Sequence, residues 1–450
     1  MGIILPPGFI ARMQVQLGAK YDDFVHSLEQ PPPVSLRLNP RKVSTAMDFS
    51  LGSVVPWHPD AYYLDERPSF TGDPVFHAGG YYVQEASSMI LGHIVSALEI
   101  TYRQGLVIDL CAAPGGKSTD LLQVIPTEVT LISNEVISSR LGTLRQNLIR
   151  WGYPNVLVTG YPPANIAATG LKADLVVVDA PCSGEGLFRK DPQAVNHWTA
   201  ALLQTCERRQ VEILRSASEM VTEGGYLIYS TCTYNPGENL SMMENMGNEF
   251  ECMEMDFPEE WSIQQVHQNG LIGYQFYPHR LRGEGFFISI FKRIKPLQVR
   301  YPFVARKVEW EGLSPTELSI IQSYFDTHTH HLVKVNNAIF ALPADLSNVL
   351  THIKVKPLFE LGSLIRNEFV PAHGSAMLSG LDLKSDTIEL TISQAIQYLR
   401  REPIVDLDVT NRGWYLVRYL GLNLGWIKNI GERINNYFPV DWRIMKLPRS

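Results

Sequence analysis

Residues 106–119 read Leu-Val-Ile-Asp-Leu-Cys-Ala-Ala-Pro-Gly-Gly-Lys-Ser-Thr. An apolar run leads into an acid, Asp109, then a turn of small residues, and a helix-like segment, Leu121 to Val124, leads out. A strand, a glycine turn and a helix start in that order are the local build of a nucleotide-type site. Gly115 and Gly116 carry no Cβ, so the chain can turn sharply and a ligand can approach its backbone. The free N–H groups of a helix start meet polar ligand atoms such as a carboxylate. A phosphate loop would end in the same Gly116-Lys117-Ser118. It needs a glycine five residues before its final glycine, however, and Cys111 stands there.

On either side of this stretch, strands and helices alternate. Gln84 to about Leu98 reads as a helix. Val129 to Ile132 is a second strand ending near Asn134-Glu135, and a helix follows from Ser138 to Trp151. Val156 to Val158 is a third strand and Leu175 to Val178 a fourth, closing with Asp179-Ala180-Pro181-Cys182. A long helix from Ala200 to Val221 precedes a fifth strand, Tyr226 to Tyr229, which ends at Ser230-Thr231-Cys232-Thr233. Such alternation means a parallel, doubly wound α/β sheet. Phe286 to Phe291 adds a late strand without a crossover helix, expected to pair antiparallel at the sheet end. In an open α/β sheet the carboxyl ends of the strands share one edge, where ligands bind. Cys111 to Lys117, Glu135, Asp179 to Ser183 and Cys232 are therefore expected in one cleft.

The chain has 450 residues, enough for two to four domains. Residues 1–75 form a small N-terminal domain: two short helices over 7–29, the break Pro31-Pro32-Pro33, a strand from Val34 to Leu38, then many Pro and Gly. The α/β domain covers 76–294. A Pro-punctuated domain, with Pro302, Pro315, Pro343, Pro357 and Pro371, runs over 295–380, and a glycine-rich module closes the chain over 381–450. No apolar run approaches a membrane span, and the first residues do not read as a secretory signal. The five cysteines, Cys111, Cys182, Cys206, Cys232 and Cys252, are widely spaced with no Cys-x-x-Cys pair. This pattern argues against a disulfide framework and against a zinc site, and a reducing cytoplasm is the simplest home.

The net charge of −7 argues at first against nucleic acid. Yet residues 412–450 carry Arg412, Arg418, Lys428, Arg433, Arg443, Lys446 and Arg449 against Glu432 and Asp441. That basic end is either a phosphate footprint or an ordinary solvated face. Arg37, Arg41 and Lys42 stand under the same two readings.

An acid after the second strand, Glu135, suits the two hydroxyls of a ribose. Asp179 and Cys182 flank a stiff Ala-Pro turn, and Cys232 lies at the end of the next strand. A free thiol is only ~3% thiolate at neutral pH. A cation or a helix N-terminus would raise that share, with Lys190 and the Pro236-Gly237 turn as candidates. Two thiols beside a nucleoside-type loop suit one reaction. A thiolate adds to C6 of a pyrimidine, C5 becomes nucleophilic and takes a methyl group from a sulfonium donor, and the C5 proton and the thiol then leave. Asp179 can hydrogen-bond the base edge and stabilise developing charge. The target must be single-stranded or flipped. The residues alone leave open which thiol attacks.

Asp109 to Ser118, Asp179-Ala-Pro-Cys-Ser-Gly-Glu-Gly186 and Ser230-Thr-Cys-Thr-Tyr234 resemble, in order, the signature motifs of the Sun/Fmu family of RNA cytosine-C5 methyltransferases. Gly184 to Asp191, Pro278-His279-Arg280, Gly283 to Phe287, and the tail from Gly413-Trp414 to Tyr437-Phe438-Pro439 resemble its branch acting on small-subunit (16S) ribosomal RNA. The resemblance implies a class I fold using S-adenosylmethionine, with Cys111, Ala112, Ala113, Pro114, Gly115, Gly116 and Lys117 lining the cofactor and Glu135 on its ribose. It implies Asp179 between methyl donor and base, Cys232 as nucleophile, and Cys182 in proton removal and release. RNA contacts are expected from Arg189 and Lys190, and from Arg412, Arg418 and Lys428 in a PUA-like tail. No metal is implied. The family often places an acid near the adenine after the third strand. Here Thr159-Gly160-Tyr161-Pro162-Pro163 holds none. The same chemistry on transfer RNA and a non-catalytic RNA-binding or assembly protein are the competing readings.

Overall fold

A computed structural model describes residues 4–42, 47, 49–296, 310–326, 330–342, 349, 353, 355, 357–366 and 368–446. Pro302, Pro343 and Arg449 lie outside the described residues.

The N-terminal segment opens with helices Pro7–Leu17 and Tyr21–Glu29. Strands β1 (Val34–Leu38), β2 (Ala61–Leu64) and β3 (Tyr81–Val83) then form an antiparallel sheet in the order β2-β1-β3. Its third strand lies past residue 75, so this sheet reaches further along the chain than the boundary drawn from Pro and Gly content. Phe9 and Phe24 are fully buried and meet Phe188 and Tyr234 edge-on at 5.0 and 5.1 Å. Such pairs contribute about 0.5–1.5 kcal/mol each beyond area burial. They seat the helical hairpin on the loops that follow the α/β strands.

The central sheet has nine strands: β4 (Leu106–Asp109), β5 (Thr130–Asn134), β6 (Val156–Thr159), β7 (Ala173–Asp179), β8 (Val221–Thr231), β9 (Phe250–Met253), β10 (Gln264–Gln268), β11 (Leu271–Phe276) and β12 (Phe286–Arg293). The order is β10-β11-β12-β8-β7-β4-β5-β6, with β9 also on β12. The five strands from β8 to β6 run parallel, while β12 pairs antiparallel with β8. Val107, Leu131, Val177 and Ile228 pack into one face and Ile108, Ile132, Val176 and Leu227 into the other. Both faces are covered, which is why the strands read as unbroken apolar runs rather than alternating ones. The stretch from Gln84 is less helical than its sequence suggests. It forms a short 3-10 turn, Ser87–Met89, before helix Ile90–Ala97.

Helix Ser138–Trp151 is a joint as well as a layer. The carbonyls at its C-terminus need donors, and three residues from two distant chain segments supply them. Lys42 Nζ donates to Arg150 O (2.7 Å), Asn39 Nδ2 to Trp151 O (2.8 Å), and Ser379 N to Gly152 O (2.8 Å). A Cβ on Gly152 would sit 2.2 Å from Met377 O, so a side chain there would push the C-terminal region away. That region holds a four-stranded antiparallel sheet, His331–Val335 to Glu368–Pro371, and a second sheet led by Gly413–Tyr419 and Leu422–Asn429. Helix Ile392–Arg400, opened by a Thr391/Gln394 capping box, buries Ala395, Tyr398 and Leu399.

Candidate active site

Register brings the strand tips level: Asp109 lies opposite Val177, and Asp179 opposite Ser230. Strand order reverses between β4 and β7, and the crevice at that switch point is the ligand position of such sheets.

On the β4 side, Gly115 takes φ +115°, a conformation that favours glycine. The turn is gripped from helix Ser138–Trp151, where Arg140 donates to Ala113 O (2.5 Å) and Asn147 Nδ2 to Pro114 O (2.8 Å). Asp109 is fully buried. Its Oδ2 accepts from Ser118 Oγ (2.7 Å), while among the described residues Oδ1 has no partner. Burial pushes this carboxyl up to about 7, against the pull of the Ser118 hydrogen bond. The Cys111 thiol is pushed up by burial and then by the negative charges of Asp109, Asp179 and Glu135. Three acidic side chains, Asp109, Asp179 and Glu135, thus act on the Cys111 thiol together. Glu135 is 3% exposed; its Oε1 accepts from Ile137 N (2.8 Å) and its Oε2 lies 3.3 Å from Arg140.

On the β7 and β8 side, Asp179 bridges. Its Oδ2 lies 2.9 Å from Lys117 Nζ, and its Oδ1 accepts from Ser230 Oγ (2.9 Å). Burial pulls the Lys117 ammonium down, but Asp179, then Cys232 and Asp109, outweigh it and raise it. Cys182 Sγ lies 3.1 Å from Cys232 Sγ, and Cys232 N donates to Cys182 Sγ (3.3 Å). Both cysteines are free and half-buried. Cys182 is pushed well up, first by its hydrogen bond to Cys232, then by burial and by the charges of Cys232 and Glu238. The loops are stitched further by Gly186 N on Cys232 O (2.8 Å), and Gly186 and Gly285 approach so closely that a Cβ on Gly186 would sit 2.3 Å from Gly285 O.

Several sequence expectations change here. Arg189 is not an RNA contact: it is buried, bonded to Glu284 (3.1 Å) and to Gly283 O (2.5 Å). The cation beside the thiols is Lys117, not the exposed Lys190. The Pro236-Gly237 turn does open a short 3-10 helix, Pro236–Glu238, capped by Asn235, and the same turn brings in an anion, Glu238. Arg37 is neither a polyanion contact nor solvated. Fully buried, it donates to Gly116 O (3.2 Å) and Thr119 Oγ1 (2.5 Å) and lies 3.9 Å from Asp120. Lys42 caps a helix end instead, and Arg41 lies over the Tyr153 ring at 4.1 Å. In the tail, Arg412 is exposed, Arg418 donates to Asn423 Oδ1 (2.9 Å), and Lys428 lies 5.1 Å over the Trp414 ring.

Two residues escaped the sequence reading. Asn134, fully buried, accepts from Thr159 Oγ1 and Tyr161 N and donates to Leu110 O and Tyr161 O, tying the tips of β4, β5 and β6. Glu185, also fully buried, binds Arg12 (2.6 Å) and Trp198 Nε1 (2.9 Å). Asn134 carried no signal beyond lying before Glu135, and Glu185 none beyond standing within the Asp179–Gly186 motif. Among the described residues no group of three metal-ligating side chains occurs, and no helix is long and apolar enough to cross a membrane.

Against known proteins, residues 96–292 match the 16S rRNA methyltransferase RsmB/F family. Residues 5–86 match the N-terminal domain of 16S rRNA methyltransferase RsmF, and residues 385–444 its PUA domain. The ribosomal RNA small subunit methyltransferase F of Shewanella sediminis is 30% identical, over 93% of this chain and 92% of that one. The chain belongs to the RsmB/F family. The same-named protein of Vibrio parahaemolyticus is 28% identical over 97% of each chain. Among solved structures, a methyltransferase homologue from Pyrococcus horikoshii is 25% identical with a TM-score of 0.53, covering 64% of this chain and all of that one. NSun6 from Pyrococcus horikoshii, solved with SFG, shares the fold at a TM-score of 0.55 and 20% identity, covering 64% of this chain and 98% of that one. The RsmB/F match spans every strand of the central sheet, and the RsmF N-terminal match includes Arg12 and Arg37.

Proposed function

We propose that this protein methylates C5 of a cytidine in small-subunit ribosomal RNA, using S-adenosylmethionine and a covalent bond from Cys232 to C6. The observation that carries this reading is the thiol pair, 3.1 Å apart at the tips of neighbouring strands, beside the Lys117–Asp179 pair. The carboxylates of Asp109, Glu135 and Asp179 around the glycine turn suit a cofactor bearing a sulfonium and an ammonium. Glu135 would hold its ribose hydroxyls and the Gly115–Lys117 backbone its carboxylate. When bound there, the cofactor supplies an electrophilic methyl group.

The chain's own residues do the rest. Lys117 presents its ammonium to the Cys232 side, where an attacking sulfur carries negative charge. Cys232 adds to C6 and the electron pair moves to C5, which takes the methyl group. Asp179, level with the sulfurs, accepts hydrogen bonds from the base edge. The C5 proton leaves, the C5–C6 double bond reforms, and the C6–S pair returns to Cys232, with Cys182 assisting the expulsion. Arg412, Arg418 and Lys428 of the PUA domain bind the RNA backbone, and the same domain carries a groove of about 1080 Å³ lined by Arg401, Asn429, Arg433, Asn435 and Tyr437.

The test incubates the protein and labelled methyl donor with 16S RNA, small subunits and transfer RNA. Cys182→Ala should trap a protein–RNA adduct, and Cys232→Ala should abolish adduct and product. Methylation by Cys232→Ala, or transfer to transfer RNA alone, would overturn the reading.

A further inference from the structure

Between the two cysteine loops lies a carboxylate that the steps above do not use. Glu238 is fully buried. Its Oε1 accepts from Ser183 N (2.8 Å) and Gln210 Nε2 (3.2 Å), and its Oε2 from Ser183 Oγ (2.5 Å). Ser183 Oγ also lies 3.0 Å from Thr233 Oγ1, so one acid ties the residue after Cys182 to the residue after Cys232. All the donors on it are neutral. Among the described residues no Lys, Arg or His pairs with it. A buried carboxylate without a cation is costly, and an amide would serve as a mere tether at less cost.

We propose that Glu238 is a positioning residue: its carboxylate fixes the Cys182 loop against Cys232 and keeps the shared proton on Cys182, so that Cys182 serves as the S–H donor to the departing Cys232 sulfur. This rests on the reading of Cys232 as nucleophile and narrows the part played by Cys182. At expulsion the C6–S bond breaks and its electron pair stays on Cys232, which accepts the Cys182 S–H hydrogen bond. The C5 proton passes to water and its bonding pair reforms the double bond. The pair ends as it began, with the proton on Cys182.

The surrounding charges are arranged for this. Glu238 acts on Cys182, while Lys117 acts on Cys232 across the pair. Tyr229, whose hydroxyl donates to Glu238 O (2.6 Å), and Cys206 of helix Ala200–Met220 both feel Glu238 and stay protonated. Glu185 adds further negative charge near Glu238, and Asp179 is held by Lys117. Once Cys232 is bonded to carbon, its sulfur is a neutral thioether. Glu238 is then the charge left beside the Cys182 proton.

The test reads Cys182 directly. In Cys232→Ala protein, alkylation of Cys182 by iodoacetamide is followed against pH by mass spectrometry. Adding Glu238→Gln should move the midpoint down by about one pH unit or more, a tenfold faster reaction at fixed pH on the rising limb. Ser183→Ala and Glu238→Asp keep the charge and should leave the midpoint within about half a unit. An unmoved midpoint in Glu238→Gln, or an equal shift in either charge-retaining variant, overturns the proposal. If Glu238→Gln does not fold, a shift in either of the other two still does so. In full enzyme with both thiols, Glu238→Gln should accumulate RNA adduct at alkaline pH and not at pH 6.5. The alkylation needs neither RNA nor cofactor, so a protein that passes it and forms no adduct refutes the methylation reading alone.

Discussion

Gly186→Ala puts the geometry of the two cysteine loops to a quantitative test. The added Cβ would lie 2.3 Å from Gly285 O and 2.9 Å from Cys232 O, both backbone atoms with no rotamer to escape into. Ordinary contact begins near 3.4 Å, so the loop must recede by about 1 Å. Overpacking of this kind costs about 1–3 kcal/mol of stability. A catalytic cost of similar size is expected beside it, because Gly186 N is bonded to Cys232 O and the movement passes directly to the proposed nucleophile. A displacement of ~1 Å from a productive geometry lowers the rate about 10²-fold. The cofactor turn does not touch Gly186, so cofactor affinity should stay within about twofold. Labelled methyl transfer to small-subunit RNA, with calorimetry for the cofactor and a urea titration for stability, separates the three quantities. A folded variant with full activity would refute the reasoning. So would one whose cofactor affinity falls in step with its rate.

Arg37→Met should cost about 1–3 kcal/mol in urea unfolding, because it leaves Gly116 O and Thr119 Oγ1 without this donor while Asp120 keeps His58 and Gly92 N, and cofactor binding should weaken with it; an unchanged midpoint would count against this. Asp109→Asn tests a pH dependence. A buried carboxyl raised to about 7 binds a proton that the unfolded chain releases near pH 4, so wild-type stability falls as pH rises between those values. The variant should gain on wild type at pH 8 relative to pH 4, by at most roughly 4 kcal/mol, yet bind cofactor more weakly; equal pH profiles would refute it. Arg189→Met should destabilise the fold by several kcal/mol and leave the salt dependence of RNA binding unchanged. Arg412→Ala should do the reverse, lowering the salt slope by about one unit. A filter-binding series in potassium chloride distinguishes them, and an Arg189→Met variant that stays stable but loses salt slope would restore that residue to the RNA surface.

The strands were legible because each is an apolar run closed by a polar tip, and the helix read over Ser138 to Trp151 has those bounds in the structure. Convergence of Cys111, Glu135, Asp179, Cys182 and Cys232 on one edge follows from topology alone, since parallel strands leave their carboxyl ends together. What the sequence could not show is which charges face which sulfur. Lys117 sits in the glycine turn and reads as a cofactor residue, yet its Nζ reaches Asp179, 62 positions on. Glu238 reads as part of an unremarked turn, yet it binds Ser183 across 55 positions. Arg189 was expected at the RNA with Lys190, in the stretch that resembles the family; only the fold reveals Glu284 waiting 95 positions later. Side-chain partners at such separations leave no periodicity to read.

The N-terminal segment changes meaning on the same grounds. From its length and its Pro and Gly content it could be an RNA-touching arm, detachable from the chemistry. Its buried contacts say otherwise. Arg37 grips the start of helix Gly116–Val124, Arg12 binds Glu185 in the loop after Cys182, and Gln16 donates to Tyr234 O (3.1 Å), two residues past Cys232. One segment thus holds the cofactor turn and both thiol loops at once. Helix Ser138–Trp151 does the matching work from the other side, gripping Ala113 and Pro114 along its length while its C-terminal carbonyls are capped by Asn39, Lys42 and Ser379. Distances of the order of 3 Å between reacting groups cannot be set by the central sheet alone when the loops that carry them are bonded to other segments. The catalytic unit therefore includes residues well before the first strand of the α/β sheet, and a fragment confined to that sheet would keep the fold's outline while losing the spacing of its sulfurs.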